Sequence, residues 1–234
     1  MAERPIFIPC KDAPGMVKEI KFSIPWHSGF APIQKKRNIE ELHAAAAKAG
    51  YAPLLEVSSK SDEKAGRHLS AFHLKVHSDS AGDIPLECAF QGSKVFERGG
   101  PYTDLFEVEP KVAKRDPRLR ESGRLIRFEF DGSRFPLQPM TVFYDWLYVC
   151  AIFPHREWLK KRLDGEVHYA GFTDIEFNPN KSVNCQARSC ALFVELMDEE
   201  LLERAVSSPE KFIEIMSTSS RQQLTIEPYQ QLQV

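Results

Sequence analysis

The stretch from Val142 to Phe153 constrains this chain most. It reads VFYDWLYVCAIF, an apolar run whose only charge is Asp145. Pro139 opens it, and the composition predicts a helix from Pro139 through Trp146 to about Phe153, apolar enough to belong in a core. Asp145 must then find hydrogen-bond partners, because a carboxylate taken out of water needs them whatever its task. The run falls short of the ~18 apolar residues that a membrane span requires. With 234 residues the chain can fill one sizeable core and does not demand two. Residues Met1 to Pro14 mix charges with prolines and lack the apolar stretch of a secretory signal, which points to a cytoplasmic address.

Around that helix, short strands and helices are mixed. Prolines at 5, 9, 14, 25 and 32 cut residues 1–36 into extended pieces and turns. Asn38 is placed to cap a helix that runs to Lys48 and stops at Gly50. Leu54 to Ser58 reads as a strand, and Phe72, Leu74 and Val76 alternate with His73, Lys75 and His77 as a half-buried strand does. Pro85 opens a helix predicted to close at Gly99-Gly100. A broken helical stretch from Tyr102 to about Glu121 precedes a strand from Arg124 to Asp131. Helices follow over Arg156–Leu163, Val183–Met197, Asp198–Val206 and Pro209–Met216, with a polar tail from Ser217. This is an α+β pattern, mainly helical with a few short strands. It has no regular βαβ alternation and no Gly-rich phosphate loop, which disfavours Rossmann and P-loop nucleotide folds.

Charge and cysteine usage narrow the function classes. A formal net charge of −2 argues against gripping undamaged nucleic acid by charge alone. Between Lys111 and Arg127, however, seven basic residues face two acidic ones, and such a segment either meets phosphates or is a solvated surface. Five cysteines at irregular spacing, without a Cys-x-x-Cys pair, speak for reduced thiols and against a disulfide framework or a zinc site. His73 and His77 would stand about 13 Å apart on a strand, too far to share a metal. No metal and no cofactor is expected.

The helix opening at Pro85 carries the most informative residues. Glu87, Gln91 and Lys94 stand at i, i+4 and i+7 and share one face. Glu87 lies in the first turn, where the helix dipole favours its anion. Taken alone, this face is either a solvated Glu–Lys pair or part of a site.

Four ordered stretches resemble the NADAR (YbiA-like) superfamily. Pro85-Leu86-Glu87-Cys88-Ala89-Phe90-Gln91-Gly92-Ser93-Lys94-Val95-Phe96 is similar to its Trp-Pro-x-x-Glu-His-x-Phe-Gln-Ala-x-Lys-Phe signature. Leu69-Ser70-Ala71-Phe72 resembles Leu-Ser-Asn-Phe, and Gly123-Arg124 after Pro110 and Ala113 resembles Pro-x-x-Ala…Gly-Arg. Asp174-Ile175-Glu176-Phe177 followed by Asn184 resembles Asp-x-x-Trp-Gly…Asn. Ile84, Cys88, Ala71 and Phe177-Asn178 depart from the general pattern and suit a divergent branch, the NADAR proteins associated with DarT-type toxins. The resemblance implies a YbiA-like single domain over residues 51–216, an N-terminal extension over 1–50 packed on it, and a flexible tail over 217–234.

It also implies an activity. DarT-type toxins ADP-ribosylate guanine bases in DNA, and their NADAR partners are antitoxins that remove the ADP-ribose. The chain is therefore expected to be an N-glycosidase, an ADP-ribosyl glycohydrolase, that takes ADP-ribosylated DNA or a nucleotide as substrate and has a cognate toxin as partner. Two alternatives stay open: an N-glycosidase for a small ribosylated metabolite such as a riboflavin-pathway intermediate, and a non-catalytic module that binds ADP-ribose or the toxin. Cleavage passes through an oxocarbenium-like or ring-opened sugar, for which one carboxylate protonates the leaving group and another activates water. Glu87 is the expected acid/base and Asp174 its partner. Lys60 is a candidate for Schiff-base attack on ring-opened ribose, with Lys94 as its rival. Phe72, Phe90 and Trp146 are candidates to stack on a base, and Arg124 to hold a diphosphate. Gln91, Lys94 and Asn184 complete the expected binding set.

Overall fold

In the computed structural model, residues 1–29, 31–163 and 168–220 are described. In chain order they form β1 (Ala2–Pro9), β2 (Val17–Ile24), α1 (Pro32–Lys48), β3 (Leu54–Glu56), α2 (Lys64–His68), β4 (Lys75–Ser78), β5 (Gly82–Pro85), α3 (Leu86–Gly92) and β6 (Lys94–Phe96). The short helices α4 (Pro110–Ala113) and α5 (Arg118–Glu121) lead to β7 (Leu125–Phe130), β8 (Ser133–Phe135) and α6 (Val142–Ile152). Then follow α7 (Arg156–Leu163), β9 (Gly171–Thr173), α8 (Gln186–Asp198), α9 (Leu202–Ser207) and α10 (Pro209–Ser220). The architecture is α+β. Among the described residues no helix is long and apolar enough to cross a membrane.

The largest sheet has the order β2-β1-β9-β3. Its outer pair is a full antiparallel hairpin, from Ala2↔Ile24 to Pro9↔Val17, where the proline-rich sequence suggested only short extended pieces. Pro5 and Pro9 are accommodated because β9 meets β1 only at Phe7↔Phe172, so most of that side of β1 behaves as an edge. The first residues thus belong to the sheet that carries β9. α1 begins at Pro32, not at Asn38. The buried Asn38 side chain instead pins the preceding loop, accepting from His27 N at 2.8 Å and donating to His27 O at 3.0 Å. A side chain so engaged inside a helix cannot cap it.

The apolar run forms the central helix α6. Phe143, Leu147, Tyr148, Val149 and Ile152 are fully or almost fully buried. β6, β7 and β8 make an antiparallel meander whose Phe128 and Phe135 rings pack on Phe143, at 4.7 and 4.8 Å between centroids. α6 starts at Val142, three residues later than Pro139 suggested, because Thr141 takes a left-handed φ of 74° at the junction. Its hydroxyl donates to Asp145 Oδ2 at 2.6 Å and so helps hold that conformation. Asp145 is the hydrogen-bonded acid its surroundings demanded, taking further bonds from Ser189 Oγ at 2.6 Å and Arg188 Nη1 at 2.5 Å on α8.

Two other boundaries differ from expectation. The helix that opens near Pro85 ends at Gly92, where a Cβ would come within 2.6 Å of Phe106 and 2.9 Å of the Tyr102 carbonyl. The chain then turns into β6, pairing Lys94 with Phe128, so long-range strand pairing overrides the local helical pattern. Phe72 to Leu74 lie in a turn, and β4 begins only at Lys75. The expected tail from Ser217 is helical as far as Ser220, and the remainder lies outside the described residues.

Candidate active site

β3 and β9 run parallel, pairing Glu56 with Thr173, and this register brings two carboxylates into the interior at the end of the sheet. Glu56 is enclosed by Leu54, Leu55 and Val57 in sequence and is almost wholly buried. It accepts hydrogen bonds from Ser58 Oγ (2.6 Å), Thr173 Oγ1 (2.6 Å) and Ile175 N (2.9 Å). Because the Thr173 hydroxyl spends its proton on Glu56, His43 Nε2 must be the donor across the 2.9 Å contact to Thr173 Oγ1. Burial holds His43 neutral, lowering its pKa to about 4. His43 sits on α1, so the first fifty residues reach into this network.

Asp174 follows directly on β9 and is also buried. Desolvation first, and then the Glu56 charge, push its pKa up to about 8, so it carries a proton at neutral pH. Burial raises Glu56 as well, with the Glu176 charge adding a little, against the hydrogen bonds from Ile175, Ser58 and Thr173. The Gln186 side chain bonds Asp174, while its carbonyl accepts from Ala71 N at 2.7 Å. One amide therefore ties the Leu69–Phe72 turn to the later loop. Tyr148 Oη completes the bracing by donating to Leu69 O at 2.7 Å.

Glu87 lies in the first turn of α3, half-buried, and accepts from Gln91 Nε2 at 2.8 Å. The buried Tyr144 phenol on α6 stands within electrostatic reach of both Glu87 and Asp174, and its pKa is raised, mainly by burial and then by Glu87. The two expected carboxylates thus bear on one side chain from opposite parts of the sequence. Lys94, the first residue of β6, is near enough for Glu87 to act on it although it has left the helix. The residue is half-buried, yet its ammonium is sufficiently enclosed that desolvation lowers its pKa to about 8, with Glu87 opposing the shift. Its Nζ lies 4.9 Å from the centre of the Phe90 ring. Three buried side-chain oxygens in these segments, Ser70 Oγ, Gln91 Oε1 and Asn184 Oδ1, have no hydrogen-bond partner among the described residues.

The sequence profile of the DarT1-associated NADAR antitoxin family matches residues 2–225. The chain belongs to this family. No curated protein sequence matches it. NADAR proteins are in general N-glycosidase-like hydrolases, and the DarT1-associated branch are antitoxins with a cognate DarT toxin.

The remaining expected residues of this NADAR chain fall into two groups. Phe72 is 60% exposed beside the buried Ser70, and Asn184 stands two residues before Gln186. Phe90 and Trp146 are held by the aromatic core instead: Phe90 packs on Phe128 (5.5 Å) and Tyr144 (5.4 Å), and Trp146 on Phe135 (5.0 Å). Lys60 is exposed on the loop after β3, with its backbone N donating to Ser58 Oγ at 3.1 Å. Arg124 is paired with Glu97, Nε to Oε1 at 3.2 Å. Of the basic stretch, Lys111, Lys114, Arg115 and Arg120 are exposed, and Lys114 is close enough to Lys94 to help lower its pKa. Glu56, His43 and Thr173 were not expected. The one local signal was a glutamate inside the apolar string Leu54-Leu55-Glu56-Val57, which a solvated strand would not place there.

Proposed function

We propose that this protein removes ADP-ribose from guanine bases in DNA by hydrolysing the N-glycosidic bond, and so reverses the modification made by its cognate toxin. The observation that carries the proposal is that Glu87 and Asp174 both stand within electrostatic reach of the Tyr144 phenol, with the buried Asp174 raised to a pKa of about 8. Asp174 gives its proton to the exocyclic nitrogen of guanine as the bond from that nitrogen to the ribose C1 breaks. Water attacks C1 and yields its proton to Glu87, leaving free ADP-ribose and unmodified guanine. Glu87 then gives that proton up to solvent and Asp174 takes one back, so both carboxyls return to their starting states. Ser70, Gln91 and Asn184 supply unpartnered oxygens for the sugar and base, and the exposed Phe72 ring supplies a stacking face.

A DNA substrate is favoured over a small metabolite by the place of Lys114, which brings the basic stretch to the edge of the Lys94 and Glu87 neighbourhood. If the sugar opens and an amine attacks C1, Lys94 suits the step better than Lys60. An amine titrating at about 8 is partly unprotonated at neutral pH, as a Schiff-base nucleophile must be.

The test is release of free ADP-ribose from an ADP-ribosylated guanine oligonucleotide. Glu87→Gln should lower the rate about 10²–10⁴-fold, the usual contribution of a general acid or base, while leaving the melting temperature unchanged. Undiminished release by that variant ends the assignment. Failure of the wild-type protein to act on the oligonucleotide, with turnover of a free ribosylated compound, ends the DNA reading. Borohydride trapping during turnover should label Lys94 if an amine takes part, and labelling at Lys60 would reverse the choice between them.

A further inference from the structure

We propose that the groove between α2 and α7 binds the single-stranded DNA that flanks the modified base, an inference that rests on the DNA reading above. The groove encloses about 610 Å³, within the range of sites that hold small organic groups. Arg67, His68, His73, His155 and Trp158 stand around a floor of leucine and isoleucine side chains, and among the described residues no acidic side chain lines it.

Its chemistry matches a nucleic acid strand on three counts. Trp158 is 46% exposed and Phe72, next to the lining residue His73, is 60% exposed; they are the exposed tryptophan and phenylalanine among the described residues. Leaving such rings in water costs free energy that stacking on bases recovers. The polar side chains of the lining are an arginine, three histidines and the Trp158 indole, all of which carry N–H donors and none an oxygen. The cationic Arg67 side chain is oriented by donating through Nη1 to the carbonyls of Ser61 (2.7 Å) and Asp62 (2.8 Å). Lys160 and Lys161, exposed on α7, extend that charge along the helix.

Position supplies the last argument. The turn Leu69–His73 borders both places. It is fastened to Asp174 through Ala71 N and Gln186, while the buried Leu69 and the exposed His73 line the groove. A strand whose modified base entered beside Ser70 and Phe72 would meet the groove at His73, a residue that lines it together with Trp158.

The experiment uses the full chain and an unmodified fluorescent single-stranded oligonucleotide, read by anisotropy at several salt concentrations. Wild type should bind with an affinity that falls as salt rises. Trp158→Ala should weaken binding about tenfold, the loss of one stacked base, and Trp158→Phe should largely restore it. On the ADP-ribosylated oligonucleotide the same Trp158→Ala should raise KM, while turnover of an ADP-ribosylated mononucleotide stays as in wild type. Unchanged oligonucleotide binding in Trp158→Ala overturns the proposal. So does equal loss on the mononucleotide, which would make the groove part of the ADP-ribose site, or retained DNA binding with loss of toxin binding. If wild type cleaves neither modified substrate, the hydrolase reading fails, and the anisotropy series still decides the groove.

Discussion

Glu56 shows how much of this site depends on a single carboxylate that touches no predicted substrate atom. Two acids buried within reach of each other cannot both ionise cheaply, so Glu56 helps to keep Asp174 protonated. Glu56→Gln removes that charge and should lower the Asp174 pKa from about 8. The alkaline limb of the pH–rate profile for ADP-ribose release should then move to lower pH; an unmoved limb would show that Asp174 is not the titrating acid. Stability follows the same group. Asp174 has an ordinary pKa of 3.8 and is raised to about 8 when folded, so between those values the folded chain holds more protons than the unfolded one. Stability should therefore fall as pH rises through that window and level off above it. Thermal melts at pH 5 and pH 8 should show the lower Tm at pH 8, and Asp174→Asn should reduce the difference. Glu87 and Asp174 were legible as motif residues, whereas Glu56 was not, because its importance comes from enclosure rather than from a local pattern.

Among the elements, α6 was the most legible and its partner the least. An apolar run with one acid already requires a buried helix and a hydrogen-bonded carboxylate, and both are present. That Arg188 and Ser189 on α8 would satisfy Asp145 required the two helices to be packed together. Asp145→Ala leaves the Arg188 guanidinium, itself largely buried, without its anion. It should cost about 3–5 kcal/mol of unfolding free energy by urea denaturation. A loss below about 1 kcal/mol would mean that the guanidinium finds water or another acceptor. The end of α3 shows the opposite case. The sequence from Pro85 to Phe96 continues as helix by its own pattern, and the chain leaves it at Gly92, where Phe106 and Tyr102 pack too close for a side chain and β7 offers a partner strand.

At the scale of the molecule, the first fifty residues are built into the sheet that holds Glu56 and Thr173. β1 lies between β2 and β9, with Ile6, Phe7 and Ile24 of the hairpin buried, and α1 sends His43 to Thr173. Deleting residues 1–24 exposes the edge of β9 and the apolar faces beneath it. The truncated chain should lose cooperative thermal unfolding and aggregate, and a sharp transition near the full-length Tm would show instead that the hairpin is dispensable.

By itself the sequence determined the helix that forms the core, the α+β class and the ordered motifs holding Glu87, Gln91 and Asp174, because periodicity, apolar length and motif order are properties of neighbouring residues. Only the tertiary structure decided which acids share an environment and which lysine is desolvated. Glu56 and Thr173 are bonded across 117 positions of chain, and Lys94 loses its hydration to residues from other elements. Burial and proton affinity arise from what surrounds a group in space, and no local pattern encodes that surrounding.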